Sequence, residues 1–179
     1  SSPNTEGLRD FHDQEKLKDL LASLNEIKKD NNTNIPLLLK ISPDIKDNYI
    51  SDIIDAAITN NISAIILTNT TNSNRMNLVS KIKKEEGGLS GEPLQEISTN
   101  MIKKFYRKLN GKIPIIGVGG VNSGKSAYEK IIAGASLLQL YTSFVYRGPS
   151  TAKEIKKELI QILKTEGFDN IKEAIGTGI

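Results

Sequence analysis

The chain has 179 residues, the size of one ordinary domain, and its 37% hydrophobic and 25% charged residues supply a packed core and exclude wholesale disorder. It holds no cysteine and a single histidine, His12, which excludes disulfide scaffolds, thiolate metal sites, cysteine catalysis and any site needing two histidines, so no metal is expected. A net charge of +3, with 5% aromatics and with basic and acidic residues alternating along the expected helices, reads as solvated faces rather than a nucleic-acid footprint.

No apolar run approaches the roughly 20 residues that span a bilayer. The polar opening Ser1-Ser2-Pro3-Asn4-Thr5 reads as neither a signal peptide nor a transit segment, and as the end of a preceding, truncated strand. A first helix is expected over 13–29, with Leu17, Leu20, Leu21, Leu24 and Ile27 on one stripe. The continuous apolar run 36–41 predicts a buried parallel strand. A helix over 47–60 turns Ile50, Ile53, Ile54, Ala57 and Ile58 inward, and 63–68 is the second strand. A polar loop over 69–92 follows, closed by Gly87-Gly88-Leu89-Ser90-Gly91.

The third helix starts near Pro93 and stops at Asn110-Gly111. Strand three covers 113–118, a helix 125–133, strand four 136–141, and a last helix 150–165, before a short tail. Four strand–helix units in series predict an α/β protein with parallel strands buried on both faces. Two architectures remain open at this point: a doubly wound sheet, or part of a (β/α)8 barrel.

Both architectures put chemistry at the C-terminal ends of the strands. Those ends read Lys40, then Thr68-Asn69-Thr70-Thr71, then Gly117-Val118-Gly119-Gly120, then Tyr141-Thr142-Ser143. A lysine ending a buried strand must reach water or meet an anion, so Lys40 is either a snorkelling rim residue or a cation facing a phosphate, carboxylate or electron-rich ring. Asn69, Thr70 and Thr71 offer uncharged donors and acceptors, for a polar ligand or for their own backbone. The glycines after strand three allow close backbone approach, and the loops after barrel strands seven and eight commonly bind phosphate.

One motif competes. Gly119-Gly120-Val121-Asn122-Ser123-Gly124-Lys125-Ser126 matches the GxxxxGK[ST] phosphate loop between a strand and a helix. A nucleotide hydrolase also needs an acidic residue at another strand end to hold magnesium, and none of these ends is acidic. His12 stands alone in a loop and is expected in solvent. A third reading, a non-catalytic module derived from a barrel, keeps the fold without the chemistry.

The strand ends also carry a resemblance. Ser1-Ser2-Pro3-Asn4-Thr5-Glu6-Gly7-Leu8-Arg9, Leu39-Lys40-Ile41-Ser42-Pro43-Asp44, Thr68-Asn69-Thr70-Thr71, Gly87-Gly88-Leu89-Ser90-Gly91, Ile115-Ile116-Gly117-Val118-Gly119-Gly120, and Gly134-Ala135-Ser136 through Leu140-Tyr141-Thr142 follow in register. Together they closely resemble the dihydroorotate dehydrogenases of the membrane-associated, quinone-reducing class, over the whole chain to Glu173-Ala174-Ile175-Gly176. The resemblance implies a (β/α)8 barrel holding FMN at its mouth, which oxidises dihydroorotate to orotate in pyrimidine biosynthesis and passes the electrons to ubiquinone.

It further implies Ser2 as the base that removes the C5 proton while hydride leaves C6; a serine base needs an acceptor or relay for its proton, and Thr5, three residues on, is the expected relay member. Asn4, Asn69 and Thr70 are implied to bind the orotate ring and its carboxylate. Lys40, Thr68, Gly91, Gly120, Tyr141 and Thr142 are implied to bind FMN, Lys40 offsetting negative charge on the reduced ring. A whole barrel takes about 250 residues. The 179 residues here are therefore expected to be the C-terminal half, from the end of strand four through strand eight, of a truncated or cleaved chain without activity of its own. The other FMN loop, a substrate-binding lysine and the helical quinone tunnel would lie in the missing N-terminal half. The expected protein is a monomer, peripheral to the mitochondrial inner membrane in a eukaryote or the cytoplasmic membrane in a bacterium.

Overall fold

In the computed structural model, strands and helices alternate along the chain; residues 1–5, 7–73, 75, 78–81 and 83–179 are described, and of His12 the backbone alone. Glu6 of the first motif and the expected solvent position of the His12 side chain thus lie outside the described residues. A 3-10 turn, Leu8–His12, is followed by α1 (Gln14–Asp30), β1 (Leu38–Ile41), α2 (Tyr49–Thr59) and β2 (Ala64–Leu67). A second 3-10 turn, Glu92–Leu94, runs into α3 (Gln95–Leu109), then come β3 (Ile115–Val118), α4 (Gly124–Ile132) and β4 (Ala135–Gln139). Three helices close the chain: α5 (Thr142–Arg147), α6 (Thr151–Thr165) and α7 (Ile171–Ala174).

The four strands form one parallel sheet in the order β1-β2-β3-β4. Each crossover moves the chain one strand in the same direction. A doubly wound sheet needs a reversal of order, and these strands have none. The helices also occupy one face only. Ile41, Ile65, Leu67 and Ile115 pack into the main core with Leu17 and Leu21 of α1, Ile50, Ile53 and Ile54 of α2, and Ile102 and Phe105 of α3. The alternate side chains Ala64, Ile66, Ile116 and Val118 make a separate small cluster that contains no helix residue. Sequential winding with helices outside and an inner apolar face is the C-terminal half of a (β/α)8 barrel.

Burial of the strands departs from the expected pattern. All four residues of β2 are buried, but β1 and β4 alternate, with Leu38 47% and Leu137 62% exposed. These two strands form the edges of the sheet, and their exposed residues point to the face that no helix covers. The strands are also shorter than expected at their starts. Pro36 and Pro114 lack the N–H that a ladder needs, so pairing begins at Leu38 and Ile115.

At the other end, β4 stops at Gln139 rather than at 141, and Tyr141 is the N-cap residue of α5. That six-residue helix, like the 3-10 turn Leu8–His12 and the four-residue α7, is too short to show a 3.6-residue period in sequence. The longer helices follow their stripes and caps. The Asp13 carboxylate accepts from the backbone N–H of Glu15 and Lys16 at the start of α1, and Asn110 closes α3 in the left-handed conformation. A second core joins Ala127 and Ile131 of α4 to Ile155, Leu159 and Leu163 of α6 and Ala174 of α7. Among the described residues no helix is long and apolar enough to cross a membrane, and no acidic, histidine or cysteine cluster is placed to hold a metal.

Candidate active site

Parallel pairing brings all four strand ends to one rim, and a cavity of about 630 Å³ opens there. Lys40, Thr68, Asn69, Thr70, Gly91, Gly120, Tyr141 and Thr142, eight of the ten candidate residues, line it. Lys40 shares a row across the sheet with Ile66, Ile116 and Leu137, so it stands on the inner face. It forms no ion pair or hydrogen bond among the described residues. An unpaired ammonium over an apolar inner wall favours an anionic or electron-rich ligand.

The loop after β2 is held by its own polar groups and by two other segments. The Thr68 hydroxyl donates to the Asn69 carbonyl at 2.9 Å, and the Thr70 N–H donates to Asn69 Oδ1 at 2.8 Å. Asn69 Nδ2 then donates to Ser1 Oγ at 3.0 Å, which ties the opening segment to the rim. Asp44 does the same from below: it accepts from Arg9 at 2.8 Å, from the Asn72 N–H at 3.0 Å, and from the Thr71 hydroxyl. Gly88 closes the arrangement, since a Cβ there would lie 1.9 Å from Thr70 Oγ1 and 2.9 Å from Pro3. Thr71, read from sequence as a possible ligand group, serves this backbone scaffold instead.

Ser2 and Asn4 are not among the lining residues. Ser2 Oγ accepts from the Asn4 N–H at 3.2 Å, and Asn4 lines a neighbouring cavity of about 690 Å³ with Pro3, Arg75 and Glu85. The Ser1–Asn69 bond keeps this segment beside the mouth. No hydrogen bond joins Ser2 to Thr5 among the described residues; the partner of Ser2 is the adjacent Asn4 backbone.

Opposite Lys40, the turn after β3 and the start of α5 face one cavity. Gly119 and Gly120 have φ of +119° and +72°, which only glycine adopts readily, and a Cβ on Gly120 would fall 2.4 Å from Gln95 Cβ. The N–H groups of Gly119, Gly120, Thr142 and Ser143 have no acceptor among the described residues. Four free amide donors from two adjacent loops suit an oxyanion. Thr142 is placed by Ser90, the two hydroxyls lying 2.8 Å apart, and Ser143 donates to the Val121 carbonyl at 2.6 Å. Arg147 also lines the mouth while bonding Glu154 and the Asn122 carbonyl. Sequence reading passed over Arg147 because it lies on the short α5.

The competing phosphate-loop motif folds into something else. The Gly124 N–H donates to the Glu158 carboxylate of α6, so an acidic side chain already occupies the start of α4. Ser123 and Ser126 cap that helix reciprocally, and Lys125 is exposed. A correction concerns Lys130, one of the helix charges read from sequence as a solvated face. It is wholly buried, with Nζ 3.0 Å from Ser98 Oγ, 3.1 Å from Thr99 Oγ1 and 3.4 Å from the Gln95 carbonyl. Burial pushes its ammonium down to about 8, against the opposing field of Glu129. Its signal in sequence was slight: one lysine between Glu129 and Ile131 on a helix with apolar residues on both sides.

A family model described as dihydroorotate dehydrogenase matches residues 1–163. The mitochondrial dihydroorotate dehydrogenase (quinone) of Arabidopsis thaliana is 46% identical over 98% of this chain and 39% of its own length. The dihydroorotate dehydrogenase (quinone) of Xanthobacter autotrophicus is 42% identical over the whole chain and 51% of its own length. Among solved structures, dihydroorotate dehydrogenase of Eimeria tenella in complex with ferulenol superimposes with a TM-score of 0.93 at 36% identity, over 99% of this chain and 52% of that one. The chain thus spans about half the length, or less, of these relatives. With the barrel winding, the rim cavity and this continuous similarity in agreement, the chain belongs to the dihydroorotate dehydrogenase family.

Proposed function

We propose that these residues are the C-terminal half of the FMN-binding barrel of a quinone-dependent dihydroorotate dehydrogenase, which oxidises (S)-dihydroorotate to orotate. The observation that carries this reading is the convergence of eight rim residues, drawn from all four strand ends, on one cavity. The rest of the barrel would cover the inner face at Leu38 and Leu137 and pair the outer edges of β1 and β4. Turnover is therefore expected of the whole barrel rather than of these 179 residues alone. The quinone-dependent relatives support a quinone as acceptor; its identity as ubiquinone, and pyrimidine biosynthesis as the setting, are part of this proposal. The mitochondrial Arabidopsis thaliana relative supports a mitochondrial place in a eukaryote; a peripheral position on the inner membrane, or on the cytoplasmic membrane in a bacterium, and a monomeric state belong to the same proposal.

The residues fit FMN on the chemistry of their donors. The free amides of Gly119, Gly120, Thr142 and Ser143 suit its phosphate, while Thr68, Gly91 and Tyr141 wall the cavity beside them. Bound in this cavity, FMN would supply the hydride acceptor and the route for electrons to the quinone. Lys40 supplies positive charge where negative charge grows on the ring system. Asn69 and Thr70 hold the substrate's ring and carboxylate through neutral donors. Ser2 Oγ, held beside the mouth, would take the C5 proton as its own hydroxyl proton passes to water, because a serine is a poor base unaided and its hydrogen bond among the described residues comes from a donor, the Asn4 N–H.

Lys40→Met in the full-length protein tests the reading. Flavin reduction by dihydroorotate, followed by stopped-flow loss of flavin absorbance, should slow by about 10²- to 10³-fold, the scale of removing one preorganised charge at a reacting centre. Reduction at the wild-type rate would remove Lys40 from the site, and a full-length protein that holds no flavin would sink the assignment.

A further inference from the structure

We propose that Lys130 is a positioning residue for the anion-binding turn, acting through Ser98 and the Val118–Gly119 peptide. The inference rests on the reading of Gly119-Gly120 and the start of α5 as a phosphate cradle.

Lys130 Nζ donates to Ser98 Oγ at 3.0 Å, and the Ser98 hydroxyl donates in turn to the Val118 carbonyl at 2.5 Å. The Thr68 N–H holds the same carbonyl at 3.0 Å. The Val118–Gly119 peptide is trans, so its carbonyl and the Gly119 N–H lie on opposite sides of one plane. Fixing the carbonyl beneath the rim therefore fixes the direction of the free Gly119 N–H. The chain from ammonium to hydroxyl to carbonyl also polarises that peptide, and each donor strengthens the next. Lys130 grips the seat of the turn as well. It bonds Gln95 and Thr99 in the first turns of α3, and Gly119 and Gly120 pack against Leu94, Gln95 and Ser98 of that same segment.

The charge is not there to satisfy its neighbours. Ser98 has the Val118 carbonyl as acceptor, and Thr99 donates to the Gln95 carbonyl at 2.8 Å. Lys130 forms no ion pair among the described residues, and the carboxylate of Glu129 is engaged by Gln95 Nε2 at 2.7 Å. A buried ammonium without a paired carboxylate is a cost to the fold. An anion bound on the Gly119 side of the peptide would supply the missing negative charge.

FMN differs from riboflavin by the phosphate alone, so the pair separates anion positioning from general structure. In the full-length protein stripped of flavin, Lys130→Met should weaken FMN binding about tenfold, the effect of one charge-assisted hydrogen bond, and change riboflavin binding less than about twofold. Ser98→Ala, which keeps the buried charge but breaks the relay, should give the same selective loss, and it carries the test alone if Lys130→Met does not fold. FMN and riboflavin weakening in parallel, or neither changing, would overturn the proposal while leaving the cradle in place. A wild-type protein that binds FMN no better than riboflavin would overturn the cradle reading itself, and this inference with it.

Discussion

Two glycine turns stand four residues apart on the same loop, and they do opposite things. Gly120 lies against Gln95 with a free N–H at the rim, whereas the Gly124 N–H is taken by Glu158 and its loop packs under α6. Both turns lack a Cβ for the same steric reason: at Gly124 it would fall 2.3 Å from Glu158 Cβ, and at Gly120 2.4 Å from Gln95 Cβ. What separates them is the occupant of their amides. A resident carboxylate excludes a phosphate by charge and by volume, so a motif that matches letter by letter carries no phosphate site. The lesson is that a glycine-rich loop binds an anion only where the protein leaves its donors unspent.

The largest effect is expected at the open turn. In Gly120→Val the side chain must occupy space held by Gln95 Cβ and backbone, at a φ of +72° that a β-branched residue resists. Overpacking and backbone strain together should cost about 3 kcal/mol of stability, read as the shift in the denaturant midpoint of the full-length protein. Flavin binding should fall with it. A variant that keeps both its midpoint and its flavin would show that the turn is neither tightly seated nor part of the rim.

Lys130, beneath the same turn, sharpens the contrast through pH. Its folded-state pKa is lowered to about 8 from the ordinary lysine value of 10.5, so between those values the unfolded chain binds more protons than the folded one. Stability therefore rises with pH across this window, and below pH 8 the full cost of burying the charge is present. The separation of 8 from 10.5 corresponds to at most about 3 kcal/mol. Subtracting the Lys130→Met profile from that of wild type isolates this rise from every other alkaline titration. Parallel profiles between pH 8 and 10 would mean that Lys130 keeps an ordinary lysine pKa in the folded protein, its charge solvated or compensated there.

The fold was largely legible in sequence because its evidence is periodic. The apolar runs at 36–41 and 63–68, and the stripe through Ile50, Ile53, Ile54 and Ala57, place strands and helices without any tertiary knowledge. Seven of the eight rim residues were legible for a related reason, since strands that enter the core apolar must leave it polar; Gly91, at the far end of the loop after β2, came from the resemblance alone. Lys130 was not, because a lysine's burial depends on acceptors in another helix, 31 to 35 residues away in the chain. Nor was Glu158, whose carboxylate reaches Gly124 across 34 residues of sequence. Long-range satisfaction of polar groups leaves no period to read.

The smallest effect falls on Lys125, and it discriminates best between the two turns. In a phosphate loop this lysine would grip the β- and γ-phosphates, and its loss would abolish nucleotide binding. Here it is an exposed residue in the first turn of α4, behind a helix start already neutralised by Glu158. Lys125→Ala should shift stability by less than about 0.5 kcal/mol, as exposed substitutions do, and leave FMN affinity unaltered. Titration of the full-length protein with magnesium and ATP, before and after the substitution, makes the contrast decisive. Saturable ATP binding that disappears with Lys125 would mean that Glu158 yields its place to a phosphate, and the closed turn would be the working one.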